Sequence, residues 1–200
     1  MLDFMIIGGR RCGTSWTHWY LSQHPEVHMS YKELHFWNQD VLDINWYNSL
    51  FQNKQGVAGE ATPAYGRLNL NLIQRVYQYN PNMKLIFIIR NLIDAYWTDF
   101  QKYSSLETSL ENVVFWKNQH TPKEVYDYQN QLMNWMQIFP KEQFCILQFS
   151  EILNEPKKFL QKILDFLGIS NTFPDDLNFE IVGSLVSQKV GLKITCQCKN

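Results

Sequence analysis

Cysteine, long apolar runs and net charge are all scarce in this chain, and each scarcity excludes a class of protein. The 200 residues contain four cysteines, Cys12, Cys145, Cys196 and Cys198, which do not make the disulfide framework of a small secreted domain. Cys196 and Cys198 form half of a metal site at best, because no second pair of His or Cys lies nearby. We therefore expect no zinc site.

The apolar runs are also too short for a membrane protein. None approaches the ~20 residues that a transmembrane helix needs, and the first core strand begins almost at Met1, where a signal peptide would lie. We therefore expect no membrane span and a cytoplasmic location. The formal net charge of −1 argues against a nucleic-acid partner, which would require a basic surface.

What the chain does contain indicates one packed domain covering residues 1–200. Its hydrophobic content of 45% and aromatic content of 15% exclude disorder, and the length allows a full core. All five arginines lie in the first 90 residues. Because the guanidinium fork suits phosphate, this distribution is a hint of anion binding in the first half, although chance explains it equally well.

An apolar strand that runs into a glycine-bounded loop opens the chain. Residues 4–7 are too few for a helix and predict a buried strand. The sequence then reads Gly8-Gly9-Arg10-Arg11-Cys12-Gly13-Thr14-Ser15, followed by helix-compatible residues up to Gln23. On that helix Trp16, Trp19 and Tyr20 share a face, which we expect to pack in the core.

The rest of the chain alternates predicted strands and helices. Strands are predicted at residues 27–29, 57–62, 84–90 and 144–149, the last two as buried strands. Helices are predicted at residues 43–51 (a short helix or an ordered loop), 68–79, 91–102, 121–138 and 154–168, with Thr121 as the N-cap of the fourth and Gly168 as the C-cap of the last. This order predicts a three-layer α/β fold of the P-loop type, in which helices flank a central, mostly parallel sheet.

Two groups of residues are candidates for anion binding. The spacing of Gly8 and Gly13 is that of a phosphate-binding P-loop, whose amides and helix start cradle an anion. However, Thr14 stands where nucleotide triphosphatases have the lysine that reaches the β- and γ-phosphates, so triphosphate chemistry is disfavoured. Arg90 at a strand end and Thr98 in the next helix can converge on a second phosphate. Considered by itself, the loop is also compatible with a glycine turn that binds no ligand. Arg90, considered by itself, is also compatible with a surface salt bridge.

Several motifs in the same order resemble the sulfotransferases that use 3′-phosphoadenosine-5′-phosphosulfate (PAPS), in particular the carbohydrate and heparan-type branch. The loop resembles their 5′-phosphosulfate loop, and the segment from Arg90 to Thr98 resembles their 3′-phosphate motif. Lys32-Glu33-Leu34-His35-Phe36 resembles their Lys-Glu-Pro-His-Phe segment. Residues 59–65 and 139–168 also fit, so the resemblance covers about residues 4–168.

The resemblance implies sulfuryl transfer from PAPS to a hydroxyl or amine of a glycan or small-molecule acceptor, without a metal. It implies that Glu33 is the general base and that Arg11 offsets charge on the leaving oxygen, while Lys32 and His35 orient the donor sulfate or acceptor. It assigns the 3′-phosphate to Arg90 and Thr98. It assigns the 5′-phosphosulfate to the loop and first helical turn, namely Gly9, Arg10, Arg11, Cys12, Gly13, Thr14, Ser15 and Trp16.

Some positions depart from the family pattern. Leu92 replaces a usual proline, Ala95 a usual arginine and Asn38 a usual aspartate, and residues 174–200 do not match the family's C-terminal cofactor loop clearly. Two other interpretations therefore stay open. One is a non-catalytic nucleotide-binding copy, and the other is a P-loop kinase, which Thr14 disfavours.

Overall fold

A computed structural model of the chain describes residues 1–52, 55–104, 109–120 and 123–173. Its single sheet has five strands, all parallel, in the order β2-β3-β1-β4-β5. The strands are β1 (Phe4–Gly8), β2 (Val27–Met29), β3 (Val57–Ala61), β4 (Lys84–Ile89) and β5 (Phe144–Gln148). The helices are α1 (Thr14–Ser22), α2 (Ile44–Ser49), α3 (Leu70–Tyr79), α4 (Leu92–Tyr103), α5 (Leu110–His120), α6 (Tyr128–Met136), α7 (Phe149–Asn154) and α8 (Pro156–Leu167).

The sheet is covered by helices on both faces, because alternate residues of each buried strand point to opposite sides. Phe4 and Ile6 of β1 pack with α1, α7 and α8 in one apolar layer. Met5 and Ile7 pack in the other layer with residues of α3 and α6. The predicted three-layer fold with a parallel sheet is confirmed.

The local predictions hold best where apolar spacing and capping residues agree. α8 buries the stripe Phe159, Leu160, Ile163, Leu164 and Leu167, at the spacing expected of one helix face. It ends at Gly168, whose φ of 78° is left-handed and so favours glycine. The strand at residues 84–90 is buried along its centre, as predicted.

Three predictions need correction. β5 is not buried like β4 but lies at the sheet edge, where Ile146 is 43% exposed. The fourth predicted helix begins at Tyr128, because Asp127 accepts the amide of Asn130 as the actual N-cap. Trp19 is 50% exposed, because the buried face of α1 extends from Trp16 through Leu21 on the other side of the helix.

Other features were missed or lie outside the described residues. α5 and α7 have no predicted counterpart. The proposed N-cap at Thr121, the cysteines at 196 and 198 and the whole segment 174–200 lie outside the described residues. Within the part of the chain that the structure describes, no helix is both long and apolar enough to cross a membrane.

The second layer contains a buried carboxyl group on β3. Glu60 is fully buried, and Tyr47 of α2 donates a hydrogen bond to its Oε2 over 2.7 Å. Burial raises the pKa of Glu60 from 4.5 to about 7, against the smaller lowering effect of the hydrogen bond from Tyr47. The native protein therefore keeps a proton that the unfolded chain releases between these two pH values.

We expect stability to fall as pH rises from 4.5 to about 7, by about 3 kcal/mol for this one group. Glu60→Gln is neutral at every pH and should lack this loss. Urea denaturation of both proteins at pH 5 and pH 8 measures the difference, with the exposed Glu142→Gln as the matched control. An equal pH dependence in wild type and Glu60→Gln would contradict the protonated Glu60.

Candidate active site

One cleft of about 760 Å³ lies at the carboxyl edge of the sheet. In this order β1 lies between β3 and β4, and the loops that follow the strands meet there, as in other open parallel sheets. The lining residues are Arg10, Arg11, Gly13, Thr14, Ser15, Lys32, Glu33, His35, Pro63, Ala64, Arg67, Arg90, Thr98, Gln101, Lys102, Tyr103 and Val125. They include six Arg or Lys side chains and a single carboxylate, so the cleft suits a polyanion.

The loop after β1 presents a helix N-terminus to this cleft. Gly13 is the N-cap of α1 with a left-handed φ of 81°, and no side chain caps the helix. A Cβ at Gly13 would lie 2.6 Å from Cδ1 of Ile152, so glycine is required for both reasons. The uncapped amides and the positive end of the helix dipole make an anion site beside Thr14 and Ser15.

Hydrogen bonds join this loop to the end of β4 and to α4. Nη1 of Arg90 donates to the carbonyl oxygen of Arg11 over 2.8 Å, and Nη2 of Arg11 donates to the carbonyl oxygen of Thr98 over 3.1 Å. The Arg90 guanidinium also lies 4.1 Å from the ring centroid of Phe149, a cation–π contact. The two candidate phosphate grips therefore share one cleft.

The segment after β2 carries the carboxylate of the cleft in an uncommon backbone conformation. Glu33 and His35 have φ of 61° and 53°, in the left-handed region that non-glycine residues rarely occupy. The amide of Glu33 donates to the carbonyl of Ala61 over 2.8 Å, which ties the segment to the end of β3. Strained residues of this kind cluster at functional sites.

The Glu33 carboxylate is paired rather than isolated. Lys32 Nζ donates to its Oε1 over 2.5 Å, and Nε2 of His35 is 4.0 Å from its Oε2. The hydrogen bond from Lys32 lowers the pKa of Glu33, against the raising effect of partial burial. Glu33 is therefore ionised at neutral pH, which is the form that accepts a proton.

The sequence model of the sulfotransferase domain family matches residues 2–187 of this chain. This chain belongs to the sulfotransferase family. Heparan sulfate glucosamine 3-O-sulfotransferase 5 of Mus musculus is 27% identical to it over 183 residues, covering 82% of this chain and 53% of the relative. The chain spans about half the length of the heparan sulfate 3-O-sulfotransferases it matches.

Solved sulfotransferases share the fold. A sulfotransferase from Alicyclobacillus acidocaldarius is 25% identical and aligns with a TM-score of 0.74 over 90% of this chain and 87% of that one. The mouse sulfotransferase SULT7A1, solved in complex with PAP, is 18% identical and aligns with a TM-score of 0.58 over 84% of this chain and 60% of that one.

Ten of the thirteen residues predicted for the sulfotransferase site line the cleft, and three do not. The amide of Gly9 donates to the carbonyl of Ile88 in the sheet. Cys12 is fully buried, and Trp16 packs in the core beside Tyr20 and Phe159. Residues 10, 11, 13, 14 and 15 line the cleft, whereas Cys12 and Trp16 are buried.

Sequence reasoning missed several lining residues in the turn after β3 and on α4. Arg67 ends the 3₁₀ turn that follows β3, and burial lowers its pKa, as does the nearby Arg10. The position of Arg67 just after a predicted parallel strand could have indicated a place in the site, because the loops that follow parallel strands all lie at the carboxyl edge of the sheet. Lys102 lies one helical turn beyond Thr98. Asp99, a fully buried residue that contacts both loop arginines, gave no such signal.

Across the described ranges, no three His, Cys, Asp or Glu residues are grouped as metal ligands would be.

The buried thiol in the loop is predicted to be unreactive. Burial raises the pKa of Cys12 from 9.0 to about 11, with a smaller lowering effect from its contact with the Tyr128 hydroxyl at 3.3 Å. At pH 8 the thiolate fraction alone should slow alkylation by about 100-fold relative to the unfolded chain. Mass spectrometry after iodoacetamide treatment, with and without urea, measures this; similar labelling in both would contradict it.

Proposed function

We propose that this chain transfers a sulfuryl group from PAPS to a hydroxyl or amine, on a carbohydrate or similar small molecule. The observation that carries the proposal is the hydrogen bond from Arg90 to the carbonyl of Arg11, because it brings both anion grips into one cleft. Cytoplasmic location stays a prediction from the sequence.

The residues present fit this donor. Its two phosphorylated positions require two anion sites within one cavity, and the cleft offers the uncapped start of α1 at one and Arg90 with Thr98 at the other. When bound, PAPS supplies an electrophilic sulfuryl group on a phosphate leaving group. The acceptor class is supported by the heparan sulfate relative and by the Lys-Glu-x-His-Phe segment, which is a weaker argument than the one for the donor.

Within this proposal each polar group has a distinct task. The amides of the loop and the hydroxyls of Thr14 and Ser15 hold the 5′-phosphate. Arg90 holds the 3′-phosphate together with Thr98, whose hydroxyl now donates to the carbonyl of Asp94 and must rotate to reach a ligand. Arg11 stabilises negative charge at the leaving oxygen. Lys32 and His35 lie beside Glu33 and orient the reacting groups.

Proton transfer falls to Glu33. Its carboxylate is ionised at neutral pH and 54% exposed toward the cleft, so an acceptor hydroxyl can reach it. The proton of the acceptor moves to a Glu33 oxygen as the acceptor oxygen attacks. A lowered pKa makes Glu33 a weak base but keeps it unprotonated down to acidic pH.

The first test is binding of 3′-phosphoadenosine 5′-phosphate by calorimetry, in EDTA. We expect metal-independent binding that Arg90→Ala weakens about 10- to 100-fold, since a charge-assisted contact to phosphate is lost. The exposed Arg75→Ala on α3 is the matched control and should bind as wild type does.

Other outcomes point to the other interpretations. Preference for Mg²⁺-ATP would favour the kinase, and weak binding that Arg90→Ala leaves unchanged would contradict a donor site of this kind. Tight binding without sulfuryl transfer would favour a non-catalytic copy.

A second test concerns the base. Glu33→Gln should lower kcat about 100-fold or more, while its affinity for 3′-phosphoadenosine 5′-phosphate stays within threefold of wild type, because the carboxylate does not hold the nucleotide. Transfer of radiolabelled sulfate to desulfated heparan oligosaccharides measures kcat, with Glu142→Gln as control. The wild-type rate should be flat around neutral pH and fall on acidification. A Glu33→Gln enzyme with the wild-type rate would remove Glu33 from the mechanism.

A further inference from the structure

A fully buried carboxylate lies directly beneath the phosphate loop. Asp99 of α4 has 0% of its side chain exposed. Its Oδ2 is 2.8 Å from Nε of Arg10, and its Oδ1 is 2.8 Å from Nε of Arg11. The contact with Arg11 is an ion pair without hydrogen-bond geometry. A carboxylate buried this deeply requires polar partners, and both of these come from the loop, so the loop and α4 are joined at Asp99.

The opposite side of the carboxylate is also fixed. The Tyr126 hydroxyl donates to Oδ2 of Asp99 over 2.5 Å, and Tyr126 packs with Ala95 and Val125 in a small apolar cluster under α4. Asp99 therefore has a set position before any ligand binds, rather than following the arginines.

α4 contacts the two guanidinium groups at further points. Nη2 of Arg11 donates to the carbonyl of Thr98. The ring centroid of Tyr103 lies 5.5 Å from the guanidinium carbons of both Arg10 and Arg11. Nη1 of Arg11 donates no hydrogen bond among the residues described, whereas Nε lies against Asp99 and Nη2 against Thr98.

We propose that Asp99 is the positioning residue for Arg11. Its single carboxylate holds the Nε edge of Arg11, offsets the repulsion between two adjacent cations, and leaves Nη1 of Arg11 available to the reacting group. This inference rests on the proposed function, in which Arg11 acts at the leaving oxygen. Asp99 itself contacts neither donor nor acceptor.

The role predicts that rate and affinity respond differently to Asp99→Asn. Removal of the negative charge leaves the cleft more cationic, so 3′-phosphoadenosine 5′-phosphate should bind within threefold of wild type or more tightly. Loss of the Arg11 position should lower kcat at least about tenfold. The exposed Asp165→Asn, near the start of β4 and away from the cleft, is the matched control.

Rescue separates positioning from a general loss of structure. In Asp99→Asn the two arginines repel each other without a counter-charge, so Arg10→Gln added to it should recover part of the lost kcat. Parallel loss of melting temperature, nucleotide affinity and kcat, or an unchanged kcat, would overturn the proposal.

A measurement without ligand keeps this test distinct from the proposed function. The ¹⁵N–¹H signals of the arginine Nε groups should move or broaden for Arg10 and Arg11 in Asp99→Asn but not for Arg75. If wild type binds no 3′-phosphoadenosine 5′-phosphate, the proposed function fails while these signals still report on Asp99. Unchanged signals would overturn the role of Asp99.

Tyr126→Phe provides a second variant should Asp99→Asn not fold. It keeps the carboxylate and removes one contact to it, so the same Nε signals should move and kcat should fall by less than in Asp99→Asn, with affinity unchanged. No effect of Tyr126→Phe on either quantity would count against the proposal.

Discussion

The guanidinium of Arg90 donates to the main-chain carbonyl of Arg11, and the arrangement of the cleft depends on this contact. It joins the end of β4 to the loop after β1, while the ring of Phe149 supports the same guanidinium from α7. A main-chain acceptor fixes the loop itself rather than one side chain. The uncapped start of α1 and the end of β4 therefore keep a constant separation, which a ligand with two anionic ends requires.

Some of the cationic side chains around this contact are paired with a carboxylate and others are not. The buried Asp99 meets two of the arginines, and Glu33 is paired with Lys32. Arg67 and Lys102 also line the cleft, and neither forms an ion pair with another described residue. The electrostatic potential of the cleft is thus positive where Arg67 and Lys102 line it, which attracts anions. The positive charge of Arg10 and Arg11 is partly balanced by the buried Asp99.

Much of the fold could be predicted from the sequence because its strands are short, apolar and followed by clear turn or cap residues. Gly168 and the stripe on α8 are examples in which spacing and capping agree. The prediction was wrong at β5, since an apolar run does not reveal whether a strand has one neighbour or two. It was wrong at Trp19 because the buried face of α1 continues from Trp16 and Tyr20 toward Leu21 and not toward Trp19.

The candidate site divides in a similar way. The loop, Glu33 and Arg90 were found because each belongs to a local motif. Asp99 was missed because its partners are 88 and 89 positions away, and nothing near Asp99 in the chain indicates that its helix face turns toward the loop. Contacts between distant elements of this kind follow from the packing of α4 against the sheet, which the sequence pattern alone does not specify.

The left-handed backbone at Glu33 and His35 has a consequence for how this chain tolerates change. Glycine at either position would release strain of about 1 kcal/mol or more, yet it would delete a side chain that faces the cleft. Backbone stability therefore favours glycine at positions 33 and 35, whereas the proposed chemistry requires the Glu and His side chains. A library of variants screened only for thermal stability would therefore enrich glycine at these two positions and lose activity, which is the usual trade-off between stability and activity.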